Sequence, residues 1–149
     1  MIWYFAYGSN MKQSRLEERV KRKGLIWKVG FLENYHLCFN KVKGDGSGYA
    51  NIEVKEGSKI WGVLYQLSNE EIKLLDKYEG VPDHYNRVSK EICTTEGSYN
   101  AEVYIANPDM IDDNLLPKRD YLGYLIDGAT EHNLPKEYII YLKSFKTFD

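Results

Sequence analysis

Segments rich in Tyr, Val, Ile and Trp, joined by short links, cover most of the chain up to residue 106. Such segments favour β-strands, because β-branched and aromatic side chains pack well on a pleated sheet. Short links join antiparallel neighbours, whereas a parallel crossover needs a dozen or more residues. The predicted strands are about 2 to 7, 25 to 32, 35 to 42, 49 to 55, 59 to 67, 85 to 94 and 99 to 106. The sequence therefore predicts a mostly antiparallel sheet.

Helices alternate with these strands and end the chain. They are predicted at about 11 to 20, 69 to 79 and 119 to 132, with a last one that begins near Pro135. In the second helix, Ser68 and Glu71 form a capping box, and Gly80 suits the left-handed residue past the end. This order predicts the α+β class, as a mixed, mostly antiparallel, partly closed β-barrel with flanking helices. Without a linker, repeat or composition break, residues 1–149 are predicted to form a single domain.

Charge and composition exclude several classes of function. The 20 Lys and Arg residues nearly balance the 22 Asp and Glu residues, so no field of one sign would attract nucleic acid or an anionic membrane. No apolar run approaches the ~20 residues of a membrane span.

Cys38 and Cys93 fall within predicted strands as free thiols, which suits a reducing cytoplasm. His36, His84 and His132 show no metal-ligand spacing and no CxxC is present, so no metal site is predicted.

Glu79 occupies an unusual position for a carboxylate in a water-soluble helix. It lies on the apolar stripe of the predicted helix, four residues after Leu75 and seven after Ile72. Desolvation, and repulsion from the partial negative charge of the helix C-terminus, would both raise its pKa. A carboxyl group with a raised pKa can accept and release a proton near neutral pH. Glu79 is therefore predicted to be an acid–base residue.

A turn at residues 7–10 joins the first predicted strand to the first helix. Gly8 permits a tight turn, and Asn10 can cap the helix with Gln13 three residues later. The backbone N–H groups of the turn would then be free to bind an anion at the helix N-terminus. A capped turn without a ligand explains the same residues equally well. The presence of Glu79 in the same small domain favours the anion site.

Two motifs resemble one known family. They are Tyr4-Phe5-Ala6-Tyr7-Gly8-Ser9-Asn10-Met11 and Leu75-Asp76-Lys77-Tyr78-Glu79-Gly80-Val81. Together they resemble the γ-glutamylcyclotransferase family, whose signatures are a YGSN loop and a catalytic Glu in an LDxxEG segment. Further matches follow at 48–52, 61–65, Tyr85, Tyr104, 121–129 and 134–138. The two motifs are specific as a pair. Residues 21 to 47 carry little that can be matched.

The resemblance implies an enzyme that needs no metal or other cofactor and converts a γ-glutamyl amino acid or peptide into 5-oxoproline and a free amine. Glu79 would act as general base and then as general acid. The implied substrate contacts are Tyr4, Phe5, Ala6, Tyr7, Gly8, Ser9 and Tyr121, with Asn10, Tyr85 and Tyr104 as weaker candidates. Asn10 is better explained as a helix cap, and a strand tyrosine is more often part of a wall. Analogy also allows a homodimer, although no apolar helix face is left over for an interface.

Two alternatives remain open. A γ-glutamylamine cyclotransferase acting on γ-glutamyl-ε-lysine, or on a biosynthetic intermediate, would keep the fold and Glu79. Relatives of that kind carry YGTL in place of YGSN, so Ser9 and Asn10 favour γ-glutamyl amino acids. A non-catalytic small-molecule binding module would keep the pocket and lose turnover. That alternative is disfavoured because a simple carboxylate-binding pocket gains nothing from a buried acid, which is costly.

Overall fold

A closed barrel forms the centre of the computed structural model, which describes residues 1–149. Its strands are β1 (Ile2–Ala6), β2 (Trp27–Val42), β3 (Gly48–Leu67), β4 (Tyr85–Thr94) and β5 (Gly97–Ala106). They follow one another around the barrel in the order β1-β3-β2-β4-β5. All neighbours are antiparallel except β1 and β5, which are parallel. The α+β class and the mixed, mostly antiparallel barrel are thereby confirmed.

Strands β2 and β3 are longer than predicted. Each spans two segments that the sequence analysis separates, so the prediction of breaks near residues 33–34 and 56–58 is wrong. Polar residues interrupt the apolar pattern there, yet the two strands remain paired across a shift of register between Glu33 and Tyr35. Asn34 adopts φ 64° and its side-chain oxygen accepts the Gly57 N–H at 3.1 Å. This irregularity in the ladder interrupts the pairing locally without ending either strand.

Four α-helices flank the barrel. They are α1 (Gln13–Val20), α2 (Asn69–Glu79), α3 (Arg119–Glu131) and α4 (Lys136–Lys143), with 3₁₀ turns at Ser9–Met11 and Pro108–Met110. Leu75 of α2 and Leu125 of α3 are fully buried in the same apolar cluster as the strand residues Phe5 and Leu64. None of the helices combines the length and the apolar character that a membrane crossing requires.

Helix α2 has the bounds and the caps that the sequence predicts. The Glu71 N–H donates to Ser68 Oγ at 3.1 Å, and the Glu71 carboxylate accepts the Ser68 N–H at 2.8 Å. The helix ends at Gly80, which adopts φ 65°. A side chain at Gly80 would also overlap His84. Glu79 is consequently the last residue of the helix.

Helix α1 differs from the prediction, because Asn10 does not cap it. Lys12 occupies the N-cap position and makes no side-chain cap. The Gln13 N–H donates instead to Glu131 Oε1 of α3 at 2.7 Å. Gly128 lets α3 approach the backbone just before α1, where a larger residue would overlap. The N-terminus of α1 is therefore satisfied by α3, and the Asn10 side chain is free for other contacts.

Candidate active site

A cavity of about 410 Å³ lies between the end of β1 and the C-terminus of α2. Its volume is in the range of small-molecule sites. Nine of the residues singled out from the sequence line it: Tyr4, Tyr7, Gly8, Ser9, Asn10, Glu79, Tyr85, Tyr104 and Tyr121. The fold thus brings candidate residues from both ends of the chain to one place.

Phe5 and Ala6 do not line this cavity. Both residues are fully buried in the apolar core. The Phe5 ring lies against Gly62 of β3, where a side chain would overlap it. The expectation of substrate contacts at these two positions is corrected accordingly, because their side chains pack the barrel interior.

Glu79 faces the cavity with only 16% of its side chain exposed. Burial raises its pKa, since a charged carboxylate is poorly solvated there. Arg19, the Asn10 amide, Lys41 and Arg15 all act in the opposite direction, and burial prevails. Positive charges nearby therefore keep the ionised form accessible, while burial keeps the protonated form accessible. A carboxyl group in this balance is suited to exchange a proton with a bound molecule.

Asn10 links the first turn of the chain to Glu79. Its Nδ2 donates to Glu79 Oε1 at 3.2 Å and to Tyr4 Oη at 3.0 Å. Its Oδ1 accepts a hydrogen bond from Arg19 at 3.2 Å. Asn10 therefore orients the candidate acid instead of capping a helix, which the sequence analysis does not anticipate.

The first turn, which lines the cavity, carries backbone donors that the protein does not use. Neither the Tyr7 N–H nor the Gly8 N–H donates to a group of the protein. Gly8 adopts φ −109°, so the turn does not need its left-handed freedom. A lack of space for a side chain explains why this residue is a glycine, because a Cβ there would come within 3.3 Å of Ala50 Cβ and 3.7 Å of Tyr121 Oη. A glycine at this position keeps the backbone amides accessible to a ligand.

Five of the seven tyrosines that line the cavity fall into two groups, according to whether their hydroxyl protons are used within the protein. In the first group, Tyr7 donates to the Tyr104 carbonyl at 2.6 Å and Tyr85 donates to the Ala50 carbonyl at 2.7 Å. Tyr104 donates to Asp76 Oδ1 at 2.7 Å. By contrast, Tyr4 Oη accepts from Asn10, and Tyr121 Oη accepts the Ala50 N–H at 3.1 Å. The protons of these two hydroxyls have no acceptor in the protein. Tyr4 and Tyr121 can therefore donate to a ligand.

Burial raises the pKa of each of these phenols well above the physiological range. The nearby Glu79 charge acts in the same direction on Tyr4, Tyr7 and Tyr121. A neutral phenol can donate a hydrogen bond, whereas a phenolate cannot. The free hydroxyls therefore remain donors at any pH that the protein meets in a cell.

Basic side chains in the cavity were missed by the sequence analysis. Arg15, Arg19 and Lys41 line it together with His84. Lys41 is only 4% exposed, and its Nζ lies 2.7 Å from His84 Nδ1. Burial lowers the pKa of Lys41, and Glu79 opposes that change. A register shift between Cys38 and Lys41 breaks the strand alternation at this point, and Asn40 and Lys41 are both buried, so the sequence pattern gives no signal that Lys41 is buried.

Positive charge therefore reaches the cavity from side chains, in addition to the backbone amides at which the sequence predicts an anion site. Arg15 Nε donates to Ser9 Oγ at 3.1 Å. The Ser9 hydroxyl is thus hydrogen-bonded to a cation and not to a side chain that could act as a general base. The loop can bind an anion through its backbone amides and the adjacent guanidinium groups.

Comparisons with known proteins agree with this geometry. Residues 59–142 match the model of the AIG2-like family. Gamma-glutamylcyclotransferases from Bos taurus and Homo sapiens are each 30% identical to the chain, over 98% of its length and 79% of theirs. A solved structure of a gamma-glutamyl cyclotransferase superposes with a TM-score of 0.90 at 28% identity, covering 99% of this chain and 89% of that one. By these similarities the chain belongs to the γ-glutamylcyclotransferase family of enzymes.

Proposed function

We propose that this protein converts a γ-glutamyl amino acid or peptide into 5-oxoproline and a free amine. The observation that carries the proposal is the buried, cavity-facing Glu79, whose carboxylate is hydrogen-bonded to Asn10 of the YGSN turn. The names of the similar proteins support the same activity. The reaction needs one proton-shuttling group and a site that holds a γ-glutamyl moiety folded back on itself.

The α-carboxylate of the substrate would bind at the first turn. The free N–H groups of Tyr7 and Gly8 can donate hydrogen bonds to its oxygens, and Arg15 lies close by, hydrogen-bonded to Ser9. Hydrogen bonds between backbone amides and a carboxylate are charge-assisted and therefore strong. This anchor would leave the α-ammonium close to Glu79, because Asn10 ties Glu79 to the same turn.

Glu79 would then take a proton from the α-ammonium. The freed amine attacks the γ-carbonyl carbon of the same molecule, a C–N bond closes the five-membered ring, and the carbonyl oxygen becomes an oxyanion. The oxyanion then collapses to a carbonyl, and the original γ-amide C–N bond breaks as protonated Glu79 gives its proton to the departing nitrogen. The second proton of the ring nitrogen passes to the released amine or to water, which leaves 5-oxoproline with a neutral ring amide and a free ammonium group. Because nucleophile and electrophile are tethered, correct positioning alone can lower the barrier by several kcal/mol.

The oxyanion needs donors that are free and preorganised. Tyr4 and Tyr121 satisfy this requirement, since both hydroxyl oxygens are held by hydrogen bonds that leave their protons unused. We assign the γ-carbonyl to these hydroxyls. Tyr7, Tyr85 and Tyr104 are engaged elsewhere and would form the wall of the pocket.

A γ-glutamyl amino acid is favoured over a γ-glutamylamine as substrate. In the former, the leaving group carries its carboxylate on the carbon that bears the departing nitrogen, whereas in γ-glutamyl-ε-lysine the carboxylate lies at the far end of the lysine side chain. Lys41 is a buried basic side chain that lines the cavity and forms no salt bridge within the protein. We further propose that residues 1–149 act as one domain. A cytoplasmic location would suit the two free cysteines, Cys38 and Cys93.

A panel of substrates tests the proposal. The protein is incubated with several γ-glutamyl dipeptides and with γ-glutamyl-ε-lysine, while 5-oxoproline release and ligand binding are measured in parallel. The proposal predicts 5-oxoproline from the dipeptides. Reaction of the lysine isopeptide alone would indicate a γ-glutamylamine cyclotransferase, and binding without any product would indicate a non-catalytic binding module.

A further inference from the structure

A second cluster of polar side chains lies outside the active-site cavity, on the ladder between β2 and β3. His36 and Cys38 are two residues apart on β2 and so project from the same face. Glu53 of β3 is the direct cross-strand partner of His36. One imidazole nitrogen, the Cys38 Sγ and one Glu53 carboxylate oxygen all lie within 4.8 Å of one another. The proposed catalysis uses none of these three groups.

The spacing of these atoms is that of ligands around one small cation. Zinc binds thiolate sulfur at about 2.3 Å and imidazole nitrogen at about 2.0–2.1 Å, so two such ligands at a tetrahedral angle are roughly 3.6 Å apart. The distance from Cys38 Sγ to His36 Nε2 is 3.6 Å. A small movement of side chains would therefore suffice for both to reach a common ion.

The surroundings of the cluster favour a positive charge. Asn40 Nδ2 donates to Glu53 Oε2 and to Asp113 Oδ1, each at 2.9 Å, which orients both carboxylates. Glu53 and Asp113 both act electrostatically on Cys38. Negative charges placed in this way would stabilise a cation that takes the place of the thiol proton.

We propose that His36, Cys38 and Glu53 bind one divalent transition-metal ion, of which zinc best matches the mixed sulfur, nitrogen and oxygen donors. The thiol loses its proton to solvent as the metal–sulfur bond forms. Three protein ligands leave the fourth tetrahedral position for a water molecule. Asn40 would orient a ligand without touching the metal, because its hydrogen bond holds one Glu53 oxygen and leaves the other free to bind the ion.

The sequence contains neither paired histidines at metal-ligand spacing nor a CxxC motif, so it predicts no metal here. On a strand, two residues separated by one position share a face, and the third ligand comes from the partner strand. The spacing His36-Leu37-Cys38 is visible in the sequence. The register that brings Glu53 opposite His36 is visible only in the structure.

Cobalt substitution tests the site directly. The purified 149-residue protein is stripped of metal with a chelator and titrated with Co²⁺, while the thiolate-to-cobalt charge-transfer absorption is recorded. The proposal predicts this absorption at one ion per chain, its loss when Zn²⁺ is added, and a higher Tm of the wild type in Zn²⁺. Absence of a thiolate absorption in the wild type would overturn the proposal.

Matched variants separate this site from unspecific binding. Cys38→Ser should abolish the absorption, and His36→Gln or Glu53→Gln should weaken Zn²⁺ binding by tenfold or more. Cys93→Ser is the control, because Cys93 is also a free strand thiol, 3.6 Å from Glu33, but has no histidine in the cluster. Far-UV circular dichroism of each metal-free variant checks the fold. Equal Zn²⁺ affinity of wild type and both the Cys38 and His36 variants would contradict the assignment.

Discussion

Asn10 donates a hydrogen bond to Glu79 at 3.2 Å, across a separation of 69 positions in the sequence. The same side chain contacts Tyr4 and Arg19. A network of this kind couples the protonation of the carboxyl group to the conformation of the first turn. In the proposed reaction, the turn that holds the substrate carboxylate and the residue that moves the proton are thus positioned by one amide.

Replacement of Asn10 by Ala should shift the pH dependence of catalysis. The Asn10 hydrogen bond lowers the pKa of Glu79, so its loss raises that pKa further. Ionised Glu79 would then require a higher pH, and the acidic limb of the kcat/KM profile should move upward. We expect a roughly 10–100-fold lower kcat/KM at neutral pH. Asn69→Ala, at the exposed start of α2, is the control, and an unmoved acidic limb in Asn10→Ala would contradict this role.

Tyr121→Phe should lower kcat more than it raises KM. The variant removes a hydroxyl whose proton is unused in the free protein and which is assigned to the oxyanion. Loss of one oxyanion donor costs about 10²–10³ in kcat. Steady-state kinetics on a γ-glutamyl dipeptide measure the effect. Tyr99→Phe, which alters a tyrosine packed on Trp3 outside the cavity, should show no such loss. If KM rises and kcat is unchanged, Tyr121 contributes to substrate binding and not to stabilisation of the oxyanion.

Lys41→Met should affect substrates according to the charge of their leaving group. If Lys41 binds the carboxylate of the departing amino acid, KM for a γ-glutamyl dipeptide should rise by about tenfold or more. The corresponding dipeptide amide lacks that carboxylate and should be affected less. Lys73→Met, on the exposed face of α2, is the matched control. Equal changes for acid and amide would refute a role in leaving-group recognition.

Glu79→Gln should make the protein more stable at neutral and alkaline pH. Because the pKa of Glu79 is raised in the folded state, its stabilising contribution is present below the unfolded pKa and is lost as pH rises through the folded value. Glutamine has no charge to bury, so the variant should gain roughly 0.5–2 kcal/mol over the wild type. Urea unfolding at several pH values measures the difference. A variant that is less stable than the wild type at every pH would show that the pairing of Glu79 with Arg19 outweighs its burial.

Local signals predicted the position of Glu79 correctly. A capping box at Ser68 and a left-handed Gly80 define both ends of α2, and the helical period then determines which face Glu79 occupies. Each of these signals acts within about one turn of the helix, so sequence alone can read it. The class of fold follows similarly from strand composition and short links.

Nonlocal contacts were the part that the sequence could not supply. The role of Asn10 depends on α3 approaching the first turn at Gly128, which displaces the start of α1. Lys41 meets His84 only because β2 and the segment before β4 converge on the same cavity. The metal-site proposal likewise depends on the register of two strands. Such contacts arise from packing between distant segments and leave no periodic pattern in either segment.

The most direct test of the central claim is the rate of 5-oxoproline release by Glu79→Gln, compared with wild type and with Glu70→Gln on the exposed side of the same helix. The account predicts that the kcat of Glu79→Gln is lower than that of the wild type by a factor of about 10²–10⁴. The variant should still bind the γ-glutamyl substrate and remain folded. Glu70→Gln should retain the wild-type rate. Release of 5-oxoproline by Glu79→Gln at a rate near that of the wild type would contradict the account.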